Sequence, residues 1–188
     1  MLEAIRSFFR SEKTRASIRE WVESLCIAFI LAMIIRTFVV QAFKIPTGSM
    51  RPTLIEGDRI LVNKFIYWFR EPQRGEVVVF KYPEDPKLAF IKRFIAAENE
   101  DAAIENGRII VNGQTVEEQE IASRFYYNRG PFARVDQTTQ VPPESFFVLG
   151  DNSANSRDSR YWGFVPRKNL IGKAMVIYWP PNRIRLVE

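Results

Sequence analysis

A serine between two prolines is the first residue that could do chemistry. The stretch "KIPTGSMRPTL" (44–54) places Thr47 and Ser49 in a short turn, which could be an ordinary loop or could present a nucleophile on a bend. A serine hydroxyl needs a base that removes its proton. The chain contains no histidine, so a Ser-His-Asp triad is excluded, and the base must be a carboxylate, a tyrosine or a lysine.

Lys92 is the best candidate for that base. It lies in "LAFIKRFIA" among phenylalanine and isoleucine residues, and apolar surroundings lower the pKa of a lysine because they penalise the ammonium ion. Alternate residues of a strand share a face, so Lys92 and Arg93 point to opposite faces, and we expect one of them to be inside. The segment alone fits an edge-strand lysine that points to solvent equally well.

A polar loop near the C-terminus is the third candidate segment. "VLGDNSANSRDSRYWGFVP" (148–166) carries Ser156, Asp158 and Arg160 at alternating positions. A carboxylate so close to a guanidinium can pair with it and brace the loop. By itself, however, this segment is more typical of a solvated surface loop.

An apolar segment precedes the serine. Residues 21–43, "WVESLCIAFILAMIIRTFVVQAF", follow a stretch rich in basic residues, and the part from residue 25 onward has one charge, Arg36. As a helix this part spans about 28 Å, close to the hydrocarbon thickness of roughly 30 Å. We therefore predict a basic cytoplasmic tail over 1–20 and one transmembrane helix over 21–43. Trp21 and Lys44 then lie at the interfaces, and Arg36 snorkels.

Two alternatives to a transmembrane helix are a buried helix of a soluble protein and a cleaved signal peptide. So small a domain can hardly bury a helix that is apolar on all faces. The run is also longer than a usual signal core, and no small-x-small site follows it directly. The excess of basic residues before the helix favours a cytoplasmic N-terminus only weakly.

The rest of the chain, residues 44–188, is expected to form an antiparallel β domain, so the fold class is mostly β. Short apolar or alternating runs such as "GEVVVFKY" and "KAMVIYW" lie between turn residues. "NGRIIVNGQTV" (106–116) is typical of a hairpin with an Asn-Gly turn. Residues 97–145 are predicted to be an insertion that contains this hairpin.

Composition narrows the function classes. The formal net charge is +5, with the basic residues scattered, so lipid contact or solubility explains the charge better than nucleic acid does. The single cysteine, Cys26, excludes an internal disulfide. Without histidine, a zinc site is also not expected.

These segments, in this order, resemble the sequence boxes of the bacterial type I signal peptidases, also called leader peptidases. "IPTGSMRPTL" resembles the nucleophile box and "GDRILVNKF" the segment that follows it. "GEVVVF" and "FIKRFIA" resemble the lysine box, and "GDNSANSRDSRYWGFVP" the box near the C-terminus. The resemblance covers the apolar segment and nearly all of the β domain.

The resemblance implies a serine–lysine dyad, with Ser49 as nucleophile and Lys92 as general base. It places the Thr47 hydroxyl in the oxyanion hole beside the Ser49 N–H, and it gives Ser156 the role of orienting the lysine amine. Two further residues match a supporting ion pair: Asp158 and Arg160. Six residues match positions around shallow apolar pockets that admit the small side chains of an Ala-x-Ala motif: Phe43, Ile45, Pro46, Met50, Phe90 and Ile91.

The function implied by the resemblance is a serine endopeptidase that removes signal peptides from exported preproteins. It implies a single-pass protein of the bacterial cytoplasmic membrane, with an extracytoplasmic catalytic domain and the secretion machinery as a further partner. It implies no metal and no cofactor. Ser49 follows the predicted helix within about 20 Å of extended chain, which would hold it near the membrane surface.

Two departures from the family pattern stand out. Ser153 and Ala154 occupy positions where the family usually has Arg-Asp, and "AAENED" replaces a common Gly-Leu-Pro-Gly-Asp. Because the implied dyad is intact, these departures bear on loop shape and local stability more than on activity.

Three other functions remain open from the sequence. The first is a self-cleaving repressor-type serine–lysine protease, although such proteins are soluble. The second is a membrane-anchored β domain that binds signal peptides or preproteins without cutting them. The third is a nucleic-acid-binding β module, which would need aromatic residues interleaved with a basic face.

Overall fold

The computed structural model describes residues 12–34, 36 and 39–188. The chain divides into two units, with the boundary between Val39 and Val40. In the first unit, helix α1 runs Glu12–Ile34. Apolar side chains along it, including Trp21, Leu25 and Phe29, are exposed. Within the described residues, no helix combines the length and the apolar character that crossing a membrane requires.

The predicted helix over 21–43 differs from the structure at its C-terminal end. The described helix ends at Ile34, and residues 40–43 lie in a β strand instead. An apolar run indicates burial in lipid or protein, but it does not distinguish a helix from a strand. Here residues 40–43 form a strand because they pair with β2. Most of the predicted tail over 1–20 lies outside the described residues.

The second unit is built mainly from antiparallel strands, which confirms the expected mostly β class. In chain order the strands are β1 Val40–Lys44, β2 Arg59–Asn63, β3 Val77–Lys81, β4 Ala89–Ala96, β5 Asp101–Glu105, β6 Arg108–Val111, β7 Gln114–Thr115, β8 Thr139–Gln140, β9 Ser145–Leu149, β10 Val165–Pro166, β11 Leu170–Trp179 and β12 Arg185–Leu186. Two short helices lie between them: α2 Gln119–Ala122 and α3 Ser159–Trp162.

The strands form a larger and a smaller sheet. The larger sheet has the order β1-β2-β11-β3-β4-β9-β10, and β12 pairs with β11. The smaller sheet has the order β7-β6-β5-β8. Strand β3 lies between β11 and β4 and is buried on both faces, which explains its unbroken run of apolar residues.

Residues 97–145 contain the smaller sheet and α2. The hairpin expected from the Asn-Gly pair at 112–113 is present, because β6 pairs with β7 through Ile110↔Thr115 and Val111↔Gln114. Asn112 has a φ of 51°, as a two-residue hairpin turn of this kind requires.

Three groups of buried apolar side chains hold the second unit together. One group lies around β1, β2, β3 and β11 and includes Met50, Leu54 and Ile177. Another joins the smaller sheet to the ends of β4 and β9. The third lies on the opposite face of β4 and includes Phe80 and Phe94. Strand β4 thus has packed side chains on both faces, and this burial determines the environment of Lys92.

Candidate active site

Ser49 lies in a single 3₁₀ turn, Gly48–Met50, that follows β1. The Met50 side chain is fully buried in the core and anchors the turn, while Ser49 is half-buried. Asn152 holds the turn from the other side: its backbone N–H donates to Ser49 O at 3.1 Å, and its side-chain amide donates to Gly48 O at 3.0 Å. The turn is therefore fixed to the loop that begins at Gly150.

Lys92 reaches Ser49 from strand β4. Its Nζ atom lies 2.7 Å from Ser49 Oγ, at hydrogen-bond distance. The Lys92 side chain is only 4% exposed, and its Nζ lies 5.8 Å from the centre of the Phe90 ring. The buried-lysine interpretation of this segment is therefore the one that the structure supports.

The environment of Lys92 favours a neutral amine. Burial lowers the pKa of Lys92 from its ordinary 10.5 to about 8. The carboxylates of Asp158 and Asp151 oppose this shift, and the Arg160 guanidinium adds to it. A lysine with such a pKa is partly neutral near physiological pH, so it can accept a proton from a hydroxyl at 2.7 Å.

Thr47 and Ser156 flank the pair from different segments. Thr47 Oγ1 lies 3.5 Å from Ser49 Oγ, at the outer limit of a hydrogen bond. Ser156 Oγ is buried and has no hydrogen-bond partner among the described residues. A Cβ placed on Gly150 would lie 2.1 Å from Ser156 Oγ and 2.6 Å from Ser49 O, so only glycine lets these segments approach so closely. Ser156 is therefore beside Ser49, without a hydrogen bond to Lys92.

Asp158 and Arg160 form a buried ion pair with two parallel hydrogen bonds. Arg160 Nε donates to Asp158 Oδ1 and Arg160 Nη2 to Oδ2, each at 2.8 Å, and both side chains are fully buried. Asp158 also accepts from the backbone N–H of Arg160 at the start of α3 and from that of Gly150. The pair fixes the start of α3 and the start of the 150–156 loop, so this segment is not the solvated loop that its composition suggests.

A second buried ion pair was missed in the sequence. Arg93 Nε and Nη2 donate to the two carboxylate oxygens of Asp151 at 2.7 Å each, and both side chains are fully buried. Thr53 also donates to Asp151, and Arg124 lies 3.2 Å from it. We expected one of Lys92 and Arg93 to be inside, and the structure buries both, because β4 is covered on both faces and Asp151 balances the charge of Arg93.

The six residues expected around apolar pockets separate onto two faces of β4. Phe43, Ile45, Met50 and Ile91 pack in the same core group, in which Ile45 and Met50 are buried and the other two are partly buried. Phe90 lies on the other face, where its ring stacks on Tyr82 with centroids 4.2 Å apart. The sixth residue, Pro46, is exposed. The structure therefore brings four of the six together, and it places Phe90 beside Lys92.

Two stretches of backbone near Ser49 have a neighbouring strand on one side only, among the residues that the structure describes. Strand β1 is at the end of the larger sheet, and Ile45 exchanges hydrogen bonds with the β2 side, so the N–H and C=O groups of Ala42 and Lys44 point outward. Strand β9 pairs with β4 only from Arg93 onward, which leaves the preceding part of β4 open. By the same alternation, the backbone groups of Ile91 point to that open side. An extended peptide could pair with either stretch.

Metal ligands are not gathered at this site. Over residues 12–34, 36 and 39–188, no group of three or more His, Cys, Asp or Glu side chains could hold a metal ion.

The chain is similar to known proteins over most of its length. The family described as "Signal peptidase, peptidase S26" matches residues 18–179. A signal peptidase I of Leptolyngbya laminosa is 43% identical over 179 residues, which cover 92% of this chain and 85% of that protein. A signal peptidase I of Aquifex aeolicus is 34% identical over 215 aligned positions, covering 86% of this chain and 84% of that protein.

One solved structure is also similar to the chain. A crystal structure of a signal peptidase I from Enterococcus faecalis aligns with a TM-score of 0.46 at 30% identity, over 55% of this chain and 97% of that one. The family assignment rests on the sequence matches. On these matches the chain belongs to the S26 signal peptidases and is a serine-type peptidase.

Proposed function

We propose that this enzyme removes N-terminal signal peptides from exported preproteins at Ala-x-Ala-type sites, with Ser49 as nucleophile and Lys92 as general base. The observation that carries the proposal is the 2.7 Å contact between Ser49 Oγ and a lysine amine that is 4% exposed. Membership of the signal peptidase family supports the substrate class.

The substrate is proposed to lie extended between the outer edge of β1 and the open part of β4. Backbone groups of Ala42, Lys44 and Ile91 would pair with it, since they face away from the strands that flank them. The core group that contains Ile45 and Met50 supplies an apolar floor, on which the small side chains of an Ala-x-Ala motif are proposed to lie. Five of the expected pocket residues contribute to this floor or its rim: Phe43, Ile45, Pro46, Met50 and Ile91.

The proposed chemical steps use the groups around Ser49 and Lys92. Neutral Lys92 takes the proton of Ser49, and the serine oxygen attacks the scissile carbonyl. The backbone N–H of Ser49 and the hydroxyl of Thr47 stabilise the oxyanion, each by about 3 kcal/mol. Protonated Lys92 then donates its proton to the leaving amine, and water hydrolyses the acyl-enzyme with Lys92 again as base. Phe90 keeps water from the amine. The Ser156 hydroxyl, which has no hydrogen-bond partner among the described residues, is proposed to turn toward the amine and orient it during the reaction.

We also propose that the segment before Val40 anchors the enzyme in the bacterial cytoplasmic membrane, with the N-terminus cytoplasmic and the catalytic unit outside. Its support is the row of exposed apolar side chains on α1 and the apolar composition of the following residues. Alkaline extraction of membranes that contain the full chain tests it, because a lipid-anchored protein stays in the pellet. Release of the chain by carbonate would contradict the anchor.

The dyad is tested by cleavage of a preprotein with an Ala-x-Ala site in detergent and lipid, with EDTA present throughout. We expect the native chain to cut and the folded Ser49→Ala and Lys92→Ala variants to lose the activity. If Lys92→Ala cut at the native rate, another base would be at work. If the native chain bound the preprotein without cutting it, a binding domain would describe it better.

A further inference from the structure

Ser153 is a buried polar residue that the proposed mechanism does not use. It departs from the family pattern, it is 4% exposed, and it begins the 3₁₀ turn Ser153–Asn155 in the 150–156 loop. Its Oγ accepts two hydrogen bonds, from the backbone N–H of Tyr127 at 2.9 Å and from Arg160 Nη1 at 2.7 Å. The Ser153 hydroxyl thus connects its own turn to Arg160 in α3 and to the backbone at Tyr127.

The Arg160 guanidinium is the centre of this arrangement. Its Nη2 donates to the backbone oxygens of Ser153 at 2.9 Å and of Ser156 at 3.3 Å, in addition to Asp158. Its Nη1 donates to Tyr127 O at 2.9 Å as well as to Ser153 Oγ. Both backbone polar groups of Tyr127 are thus bound to Ser153 and Arg160. The segment between α2 and β8 is thereby fixed to the loop that carries Ser156.

The position of Arg160 matters to Lys92 through electrostatics. Three charged groups act on the Lys92 amine: the carboxylates of Asp158 and Asp151 favour its charged form, and the Arg160 guanidinium favours the neutral form. If Arg160 moved away, Lys92 would lose the nearby positive charge that favours its neutral form. It would also face an Asp158 carboxylate that no guanidinium neutralises. Both changes favour the protonated amine, which cannot act as a base.

We propose that Ser153 is a positioning residue for proton transfer: its hydroxyl holds the Arg160 guanidinium where it offsets Asp158, and so keeps Lys92 available as a base. The proposal rests on the proposed dyad. At this position a serine offers the Arg160 guanidinium a small neutral acceptor.

The test compares three variants of the full chain. Ser153→Ala removes the acceptor, and Ser153→Thr keeps a hydroxyl in the same place. Ser159→Ala is the matched control, because Ser159 is also a fully buried serine of this segment, but its Oγ accepts from the backbone N–H of Val148 and not from Arg160. For each variant we would measure kcat and KM across pH together with the melting temperature.

The expected result is specific to Ser153→Ala. Its kcat/KM at pH 7 should fall about tenfold, the factor for loss of one charge-assisted hydrogen bond, mostly through kcat. The rise of kcat/KM with pH should move to higher pH, so that activity recovers in alkaline buffer, and Ser153→Thr should restore the native profile. Ser159→Ala should lower the melting temperature without moving the profile.

An unmoved pH profile in Ser153→Ala, with only a lower melting temperature as in Ser159→Ala, would overturn the proposal and leave Ser153 a structural residue. A Ser153→Thr variant that folds with the native melting temperature but keeps the alanine profile would also overturn it. Failure of the dyad itself looks different, because Lys92→Ala would then retain activity whatever happened at Ser153.

Discussion

Lys92 Nζ and Ser49 Oγ lie 2.7 Å apart, although 43 positions separate the two residues in the chain. The turn after β1 supplies the hydroxyl and strand β4 supplies the amine. The contact is buried on the lysine side and half-open on the serine side, so a peptide can reach the oxygen while water is kept from most of the amine. This asymmetry leads to two predictions about Lys92.

The first prediction concerns the pH dependence of catalysis. Burial lowers the pKa of Lys92 to about 8, so below that pH most of the amine is charged and cannot accept the serine proton. We expect kcat/KM to rise about tenfold per pH unit in neutral buffer and to level off above an apparent pKa near 8. Initial rates with a peptide substrate between about pH 6 and 10 measure this. A rate constant independent of pH across that range would contradict Lys92 as the base.

The second prediction concerns stability. The pKa of Lys92 is lower in the folded than in the unfolded chain, so the unfolded chain binds more protons between about pH 8 and 10.5, and folding stability rises with pH there. Below about pH 8 the burial penalty is fully present. Lys92→Met should therefore raise the free energy of unfolding by about 3 kcal/mol at pH 7. The gain should shrink as the pH rises from about 8 to 10.5 and should be absent above the ordinary lysine pKa.

Urea unfolding at pH 7 and at pH 11 measures this difference. Lys87→Met is the matched control, because Lys87 is an exposed lysine and its replacement should change stability little at either pH. A Lys92→Met effect that is the same at both pH values would mean that the buried amine carries no such penalty.

Sequence reasoning found the groups that meet at Ser49 but not all of the structure that holds them. Residue type and order identify Ser49 and Lys92, because few residues other than histidine can serve as a base and apolar neighbours indicate burial. The Arg93–Asp151 pair was missed because its two members are 58 positions apart. They meet because β4 pairs with β9, which places Arg93 opposite Leu149, two residues before Asp151. Two signals for this pair were present in the sequence. Arg93 follows Lys92 directly, and Asp151 lies in the polar loop that also carries Ser156.

The N-terminal segment shows a different limit. Hydropathy marks residues 21–43 as one apolar run, but residues 40–43 belong to the strand Val40–Lys44, which pairs with β2. The hairpin at 112–113, by contrast, was predictable because an Asn-Gly pair determines its turn locally. Local chemistry could thus be predicted from sequence, whereas long-range pairing could not.

The third prediction concerns Gly150. A methyl group there would lie 2.1 Å from Ser156 Oγ and 2.6 Å from Ser49 O, closer than any van der Waals contact allows. We expect Gly150→Ala to reduce kcat by about a hundredfold, because the 150–156 loop must move away from Ser49. Its melting temperature should also fall.

Adding Ser156→Gly to Gly150→Ala provides the check on this explanation. It removes the side chain that the new methyl group meets first, so the double variant should regain part of the lost melting temperature, although Ser49 O still crowds the site. Strictly additive losses would show that the two positions do not contact one another.

The fourth prediction compares how much a buried and an exposed ion pair contribute to the stability of the fold. Arg93→Met leaves the fully buried Asp151 carboxylate with Thr53 and the more distant Arg124, so it should lower the free energy of unfolding by about 3 kcal/mol. Arg51→Met is the matched control: the Arg51–Glu56 pair has side chains 56% and 42% exposed, and its loss should change stability by less than about 1 kcal/mol.

A double variant shows whether the loss at Arg93 comes from an uncompensated charge. In Arg93→Met with Asp151→Leu, no carboxylate is left without its partner, so the double variant should be more stable than Arg93→Met alone. Chemical unfolding of the four proteins measures these differences. A double variant that is less stable than Arg93→Met would mean that Asp151 stabilises the fold through Thr53 and Arg124 even without Arg93.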